Sequence, residues 1–80
     1  MRIFFHRTWE KQYNKLDKQI QQKVDERIKL FAQEPRHPLL GNHKLKGEWK
    51  EYRSINITGD YRAIYRQIED GVVEFRAVGT

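Results

Sequence analysis

The sequence predicts a small α+β domain: an N-terminal strand, a helical hairpin, then a three-stranded antiparallel meander, with the helices on one face of a single sheet. Two observations carry this. Apolar residues recur with a helical period in the first half of the chain, and the second half holds three β-rich runs separated by turn signals. At 80 residues there is room for one domain and one core.

Arg2 to His6 reads as a short strand, with Ile3, Phe4 and Phe5 supplying β-preferring bulk. Thr8 is a candidate N-cap for a helix starting at Trp9, because its hydroxyl can accept an otherwise unpaired backbone N–H. Trp9, Tyr13 and Leu16 follow at helical spacing. Asp17 is a second capping residue. Beyond it Ile20, Val24, Ile28 and Phe31 mark one face of a helix over 18–33, with Lys18, Gln22, Asp25, Glu26 and Lys29 opposite. Pro35 and Pro38 end it, since proline supplies no backbone N–H and restricts the residue before it.

Residues 35–51 read as a loop carrying Gly41 and Gly47. Strands are expected over 52–57, 61–68 and 72–78, separated by Thr58-Gly59-Asp60 and Glu69-Asp70-Gly71. Strict alternation puts Ile55, Ile57, Ala63, Tyr65, Val73, Phe75 and Ala77 on the buried face. Ser54, Asn56, Arg62, Ile64, Arg66, Glu74 and Arg76 then share the other face.

Composition excludes several classes. There is no cysteine, so neither a disulfide framework nor a thiolate metal site can form. His6, His37 and His43 match no zinc spacing, and neither a metal nor a cofactor is expected. No apolar run approaches the roughly 20 residues of a membrane span, and Met1 to Glu10 lacks a signal-peptide core, so the expected compartment is the cytoplasm. No phosphate-binding glycine loop, dinucleotide fingerprint or cysteine nucleophile arrangement occurs. Ser54 is the only serine, and nothing places a histidine to activate it.

The formal net charge is +5, which suits an acidic or polyanionic partner. Between residues 42 and 66, Lys44, Lys46, Lys50, Arg53, Arg62 and Arg66 face only Glu48, Glu51 and Asp60, and aromatics interleave with them. Two readings of the arginine-bearing face stand together at this point. It can bind phosphate through bidentate guanidinium contacts, or it can be a face of cross-strand pairs such as Glu74 with Arg62 or Arg66.

The residues also suit cleavage of RNA without a metal. There the 2′-OH attacks the adjacent phosphate, and the protein removes a proton, stabilises the phosphorane and protonates the leaving 5′-oxygen. His43, Lys44, Lys46, Asp60, Arg62 and Arg76 are the local supply. Trp49, Tyr52 and Tyr61 could stack on unpaired bases. Each has a plainer reading: the aromatics as core or rim packing, the lysines as solvated loop residues, Asp60 as a turn cap.

Four runs carry a resemblance: Asn42-His43-Lys44-Leu45-Lys46-Gly47, Tyr52-Arg53, Gly59-Asp60-Tyr61-Arg62-Ala63-Ile64-Tyr65, and Phe75-Arg76-Ala77-Val78-Gly79-Thr80. With the order strand–helix–helix–three strands, they resemble the RelE/ParE toxins of bacterial type II toxin–antitoxin pairs, in particular the YafQ-like branch, over nearly the whole chain. The resemblance implies a ribosome-dependent endoribonuclease that cuts mRNA in the decoding site and is neutralised by a cognate antitoxin. It implies catalytic roles for His43, Asp60 and Arg62, the last as a phosphate-binding arginine. It implies ribosomal RNA contacts at Lys44 and Lys46, and Arg53, Asn56, Arg66 and Arg76 are further candidates for RNA or ribosome contact.

Two departures qualify this. Asn56 stands where the branch often has a catalytic histidine, and asparagine is no acid or base near neutral pH. Relatives continue past Gly-Thr with a histidine and a short aromatic tail, whereas this sequence ends at Thr80. The expectation is a scaffold that binds RNA or ribosome and cleaves weakly or not at all. The alternatives are a ParE-like, non-enzymatic inhibitor of DNA gyrase, and a remnant that only binds its antitoxin.

Overall fold

The computed structural model describes all 80 residues. Strand β1 spans Arg2–Phe5, helix α1 Arg7–Asn14 and helix α2 Lys18–Gln33. A loop with 3₁₀ turns at Pro38–Leu40 and Gly47–Trp49 brackets a short strand β2, His43–Lys44. Strands β3 (Arg53–Asn56), β4 (Arg62–Glu69) and β5 (Val72–Gly79) complete the chain. They form one five-stranded sheet in the order β1-β5-β4-β3-β2. β1 runs parallel to β5, and the other neighbours are antiparallel.

The predicted meander is present, but it is the centre of a wider sheet. β2 was not expected: two residues give no alternation to read, and they are a strand only because His43 and Lys44 pair with Ser54 and Arg53. The start of α1 also differs. His6 is the N-cap, its Nδ1 accepting the Thr8 N–H at 3.0 Å, so the helix begins at Arg7 and Thr8 lies inside its first turn. The second helix has the expected bounds, and Asp17 caps it by accepting the Ile20 N–H at 3.0 Å.

The core lies between the hairpin and one sheet face. Trp9, Val24 and Phe31 from the helices meet Ile55, Ala63, Tyr65, Val73, Phe75 and Val78 from the sheet. Phe75 is central, with ring centroids 5.2 Å from each of Trp9, Phe31 and Tyr65. Tyr61 packs against this core from its margin.

The alternation breaks in β5. Phe75 pairs with Tyr65 and Ala77 with Ile64, which leaves Arg76 as an extra residue, a β-bulge. Beyond it the faces exchange. Val78, opposite Ala63, is buried, and Ala77 is not. The expected burial of Ala77 is therefore corrected, because one inserted residue shifts every later side chain to the other face. The bulge also moves Arg62 opposite Gly79 rather than opposite Val78.

Ser54 departs from expectation in another way. It sits on the face away from the helices, yet it is 2 % exposed because the Arg62 side chain lies over it.

Candidate functional site

The open face of the sheet brings together residues from four parts of the chain. Arg62 of β4 is the hub. Its Nε donates to Ser54 Oγ at 2.8 Å and its Nη1 to Asn56 Oδ1 at 2.5 Å. Both partners are neutral and lie on β3, where residues 54 and 56 share a face. Of the five guanidinium N–H groups, one on Nε and one on Nη1 are bonded, so three remain free.

Arg62 has no carboxylate partner. The ion pairs of the molecule are Lys23–Glu26 and Arg66–Glu74, and His37 Nε2 lies 3.8 Å from Glu34. Register explains the difference between the two arginines. Arg66 stands opposite Glu74 and pairs with it at 3.4 Å, whereas Arg62 stands opposite Gly79, which has no side chain. The two readings of this face thus divide by residue: cross-strand pairing describes Arg66, and an uncompensated cation describes Arg62.

His43 flanks the hub from β2. Its Nδ1 lies 3.0 Å from the Gly41 carbonyl oxygen and 3.4 Å from Arg62 Nη2. A carbonyl only accepts, so the shorter contact assigns the proton to Nδ1. The Arg62 contact is then two donors side by side, and the His43 Nε2 lone pair is free. Gly41 adopts φ +51°, and a Cβ there would lie 2.5 Å from Asn56 Nδ2. The glycine is needed both for its left-handed backbone and for the closeness of Asn56.

The remaining residues are placed as follows. Asp60 is exposed in the β3–β4 turn. Its backbone N–H is held by Thr58 Oγ1 at 3.2 Å, and its carboxylate has no partner. Arg76, at the bulge, is half-buried and unpaired. Lys44 and Lys46 are exposed. Arg53 does not join Arg62. It lies on the helix side, where its Nε donates to Asn42 Oδ1 at 2.7 Å while Asn42 Nδ2 donates to the Tyr65 hydroxyl at 2.7 Å and to the Pro35 carbonyl at 3.0 Å. Asn42, Ser54 and Gly41 were not among the expected site residues. The glycine directly before the Asn42-His43 run was the one available sign, and the buried role of Ser54 had none.

The other histidines are occupied locally: His6 caps α1, and His37 Nδ1 accepts the Leu39 N–H at 3.1 Å. No group of three or more His, Asp or Glu side chains comes together as a metal site would require. A second concavity of about 470 Å³ lies between α1 and α2, lined by Phe5, Trp9, Tyr13, Val24 and Ile28 among others. No helix is long and apolar enough to cross a membrane.

Comparison with solved structures defines the class. The chain superposes on YafQ from Escherichia coli strain BL21(DE3) with a TM-score of 0.82, at 24 % identity, covering 100 % of this chain and 93 % of that one. A YoeB/ParE toxin from Agrobacterium tumefaciens gives 0.81 at 23 % identity, with coverages of 98 % and 95 %. The toxin–antitoxin complex RelBE2 from Mycobacterium tuberculosis gives 0.80 at 24 % identity, with coverages of 96 % and 93 %. The fold is that of the RelE-like toxins. Residues 3–80 match the family described as the ParE toxin of the type II toxin–antitoxin system parDE, and the chain belongs to that family within the RelE/ParE superfamily. It is a toxin of a type II toxin–antitoxin system. A search among curated proteins gives no match.

Proposed function

We propose that this toxin is a ribosome-dependent mRNA endoribonuclease, with Arg62 as its phosphate-binding residue and His43 as its base. The observation that carries this is the uncompensated Arg62 guanidinium, held by Ser54 and Asn56 with three N–H groups free, beside an imidazole whose Nε2 is free. A preorganised fork of this kind favours the doubly charged phosphorane over the ground-state diester. In the reaction the 2′-oxygen bonds to phosphorus as its proton passes to His43 Nε2, and the P–O5′ bond breaks as the 5′-oxygen gains a proton. Asp60, exposed two residues before Arg62, is available to orient the 2′-OH.

Only one imidazole serves this site, since His6 and His37 cap helices. In this reading the leaving oxygen takes its proton from a group on the ribosome or from solvent, and such a reaction would depend on the ribosome. A missing general acid costs about 10²–10⁴-fold in rate, so free RNA should be cut that much more slowly than ribosome-bound mRNA. Arg76 adds positive charge on this side and Lys46 to the exposed loop, whereas Lys44, opposite Arg53 in register, shares the other face; a cognate antitoxin is the partner that would neutralise the toxin. The solved RelBE2 and DinJ–YafQ toxin–antitoxin complexes, which share this fold, support that partner.

The test is cleavage of a translated mRNA on purified ribosomes. Arg62→Ala should reduce the rate by about 10²–10³-fold. Arg62→Lys should do nearly as badly, because an ammonium cannot hold Ser54, Asn56 and a phosphate together. A wild-type chain that leaves mRNA intact on ribosomes refutes the proposal. The second reading, inhibition of DNA gyrase without catalysis, is favoured by the match to the ParE family. It predicts loss of supercoiling activity in the presence of the toxin.

A further inference from the structure

We propose that Trp49 and the cations around it form a second contact for single-stranded RNA, separate from Arg62, in which the indole stacks on one unpaired base. This rests on the reading that RNA is the target.

The two tryptophans behave differently. Trp9 is 4 % exposed in the core, whereas Trp49 is 42 % exposed. Trp49 does not ride on a loose loop. Its N–H donates to the Lys46 carbonyl at 3.3 Å, its carbonyl accepts the Tyr52 N–H at 2.9 Å, and Leu45 N–H donates to the Tyr52 carbonyl at 3.0 Å. Gly47, at φ +68°, allows the chain to make the turn. Tyr52 meets the indole edge-on, with centroids 5.0 Å apart at 65°, and Arg66 lies over the Tyr52 ring at 5.7 Å. The indole is thus held by an edge contact with Tyr52 and by its turn while 42 % of the residue stays exposed, and an exposed, fixed ring is what a stacking platform needs.

The surroundings favour a polyanion over a protein helix. Lys44, Lys46 and Lys50 are exposed beside the turn and, with Arg53, outnumber the exposed acids Glu48 and Glu51. Lys44, Lys50 and Arg53 outnumber the one acid, Glu51, in an adjoining hollow of about 400 Å³ that Gln67 also lines and in which Tyr52 is the single hydrophobic residue. The other exposed large hydrophobic residues, Met1, Phe4, Phe5, Leu39 and Ile68, belong to other segments, so Trp49 is not part of an apolar stripe on its own turn. An amphipathic helix would need such a stripe, and a base needs only one ring flanked by phosphate-binding cations. A duplex would hide its base faces, so the ligand is single-stranded.

The experiment titrates the intact chain with a 12-nucleotide single-stranded oligoadenylate and with an RNA duplex of the same length, reading tryptophan emission and affinity over a range of salt. The single strand should quench Trp49, the duplex should not, and Trp49→Phe should abolish the change because Trp9 is buried. Trp49→Ala should weaken binding on the order of tenfold without altering the salt slope, since stacking releases no counterion. Trp49→Phe should restore most of that affinity. Lys44→Ala or Lys50→Ala should lower the slope by about 0.7 for each phosphate that is no longer neutralised. Unchanged emission at saturation, or full affinity in Trp49→Ala, overturns the platform while leaving RNA as the target. Absence of RNA and ribosome binding in the wild-type chain overturns both.

Discussion

At the scale of single residues, the Arg62 site depends on a position that carries no side chain. Gly41 has a left-handed backbone, and its missing Cβ makes room for the Asn56 amide that holds Arg62. Gly41→Ala should cost about 1–2 kcal/mol of stability, since the left-handed region penalises any Cβ by about that much. It should also weaken RNA binding by displacing Asn56, and urea unfolding with a parallel binding measurement separates the two effects. Asn56→Ala acts through Arg62. A double-mutant cycle on RNA affinity should therefore show the pair Asn56→Ala/Arg62→Ala no worse than Arg62→Ala alone. Additive losses would make Asn56 an independent contact. The sequence placed Asn56 on the arginine-bearing face and marked it as an RNA contact without acid–base chemistry; its role as an acceptor for the Arg62 guanidinium follows from where β3 sets it beside β4.

Among the elements, α2 was legible to the residue because three local signals agreed: a capping aspartate, a 3.6-residue apolar period and two prolines beyond the end. Asp17→Ala should destabilise the domain by about 1 kcal/mol, seen as a lowered urea midpoint with unchanged slope. The hairpin is further tied by the Tyr13 hydroxyl, which donates to Asp25 at 2.8 Å. That hydrogen bond, then burial and the Asp25 charge, hold the Tyr13 hydroxyl above its ordinary value of 10.0. The bond is present below the unfolded value and is lost as pH rises through the higher folded one. The stability difference between wild type and Tyr13→Phe should thus be constant at neutral pH and shrink above about pH 10. β2 shows the opposite case. Two residues carry no period, and only pairing with β3 makes them a strand and sets His43 beside Arg62.

For the whole molecule, the aromatic cluster around Phe75 joins both layers: Trp9 and Phe31 from the helices, Tyr65 from β4 and Phe5 from β1. Phe75→Ala should cost about 3–5 kcal/mol, a large part of the ~5–15 kcal/mol typical of a domain. The chain should then be partly unfolded near its growth temperature, which circular dichroism would report. β1 also runs beside the first half of β5, tying the first strand to the last, through Arg2 N–H to the Gly71 carbonyl and His6 N–H to the Phe75 carbonyl. Cooperative loss of both layers in one transition is the expected unfolding behaviour.

The sequence by itself determined the class of fold, the bounds of α2, the three central strands and the basic, cysteine-free character that points to a polyanion. These are properties of local periodicity, capping and composition, and each can be summed along the chain. Tertiary structure alone decided which arginine is free. One extra residue at Arg76 reverses the faces of β5, sends Val78 into the core in place of Ala77 and sets Gly79 opposite Arg62. Arg66 meets Glu74 and is neutralised, while Arg62 meets no acid and keeps three N–H groups for an anion. Register is a relation between two strands, fixed by how they pack together, and so no reading of either strand alone contains it.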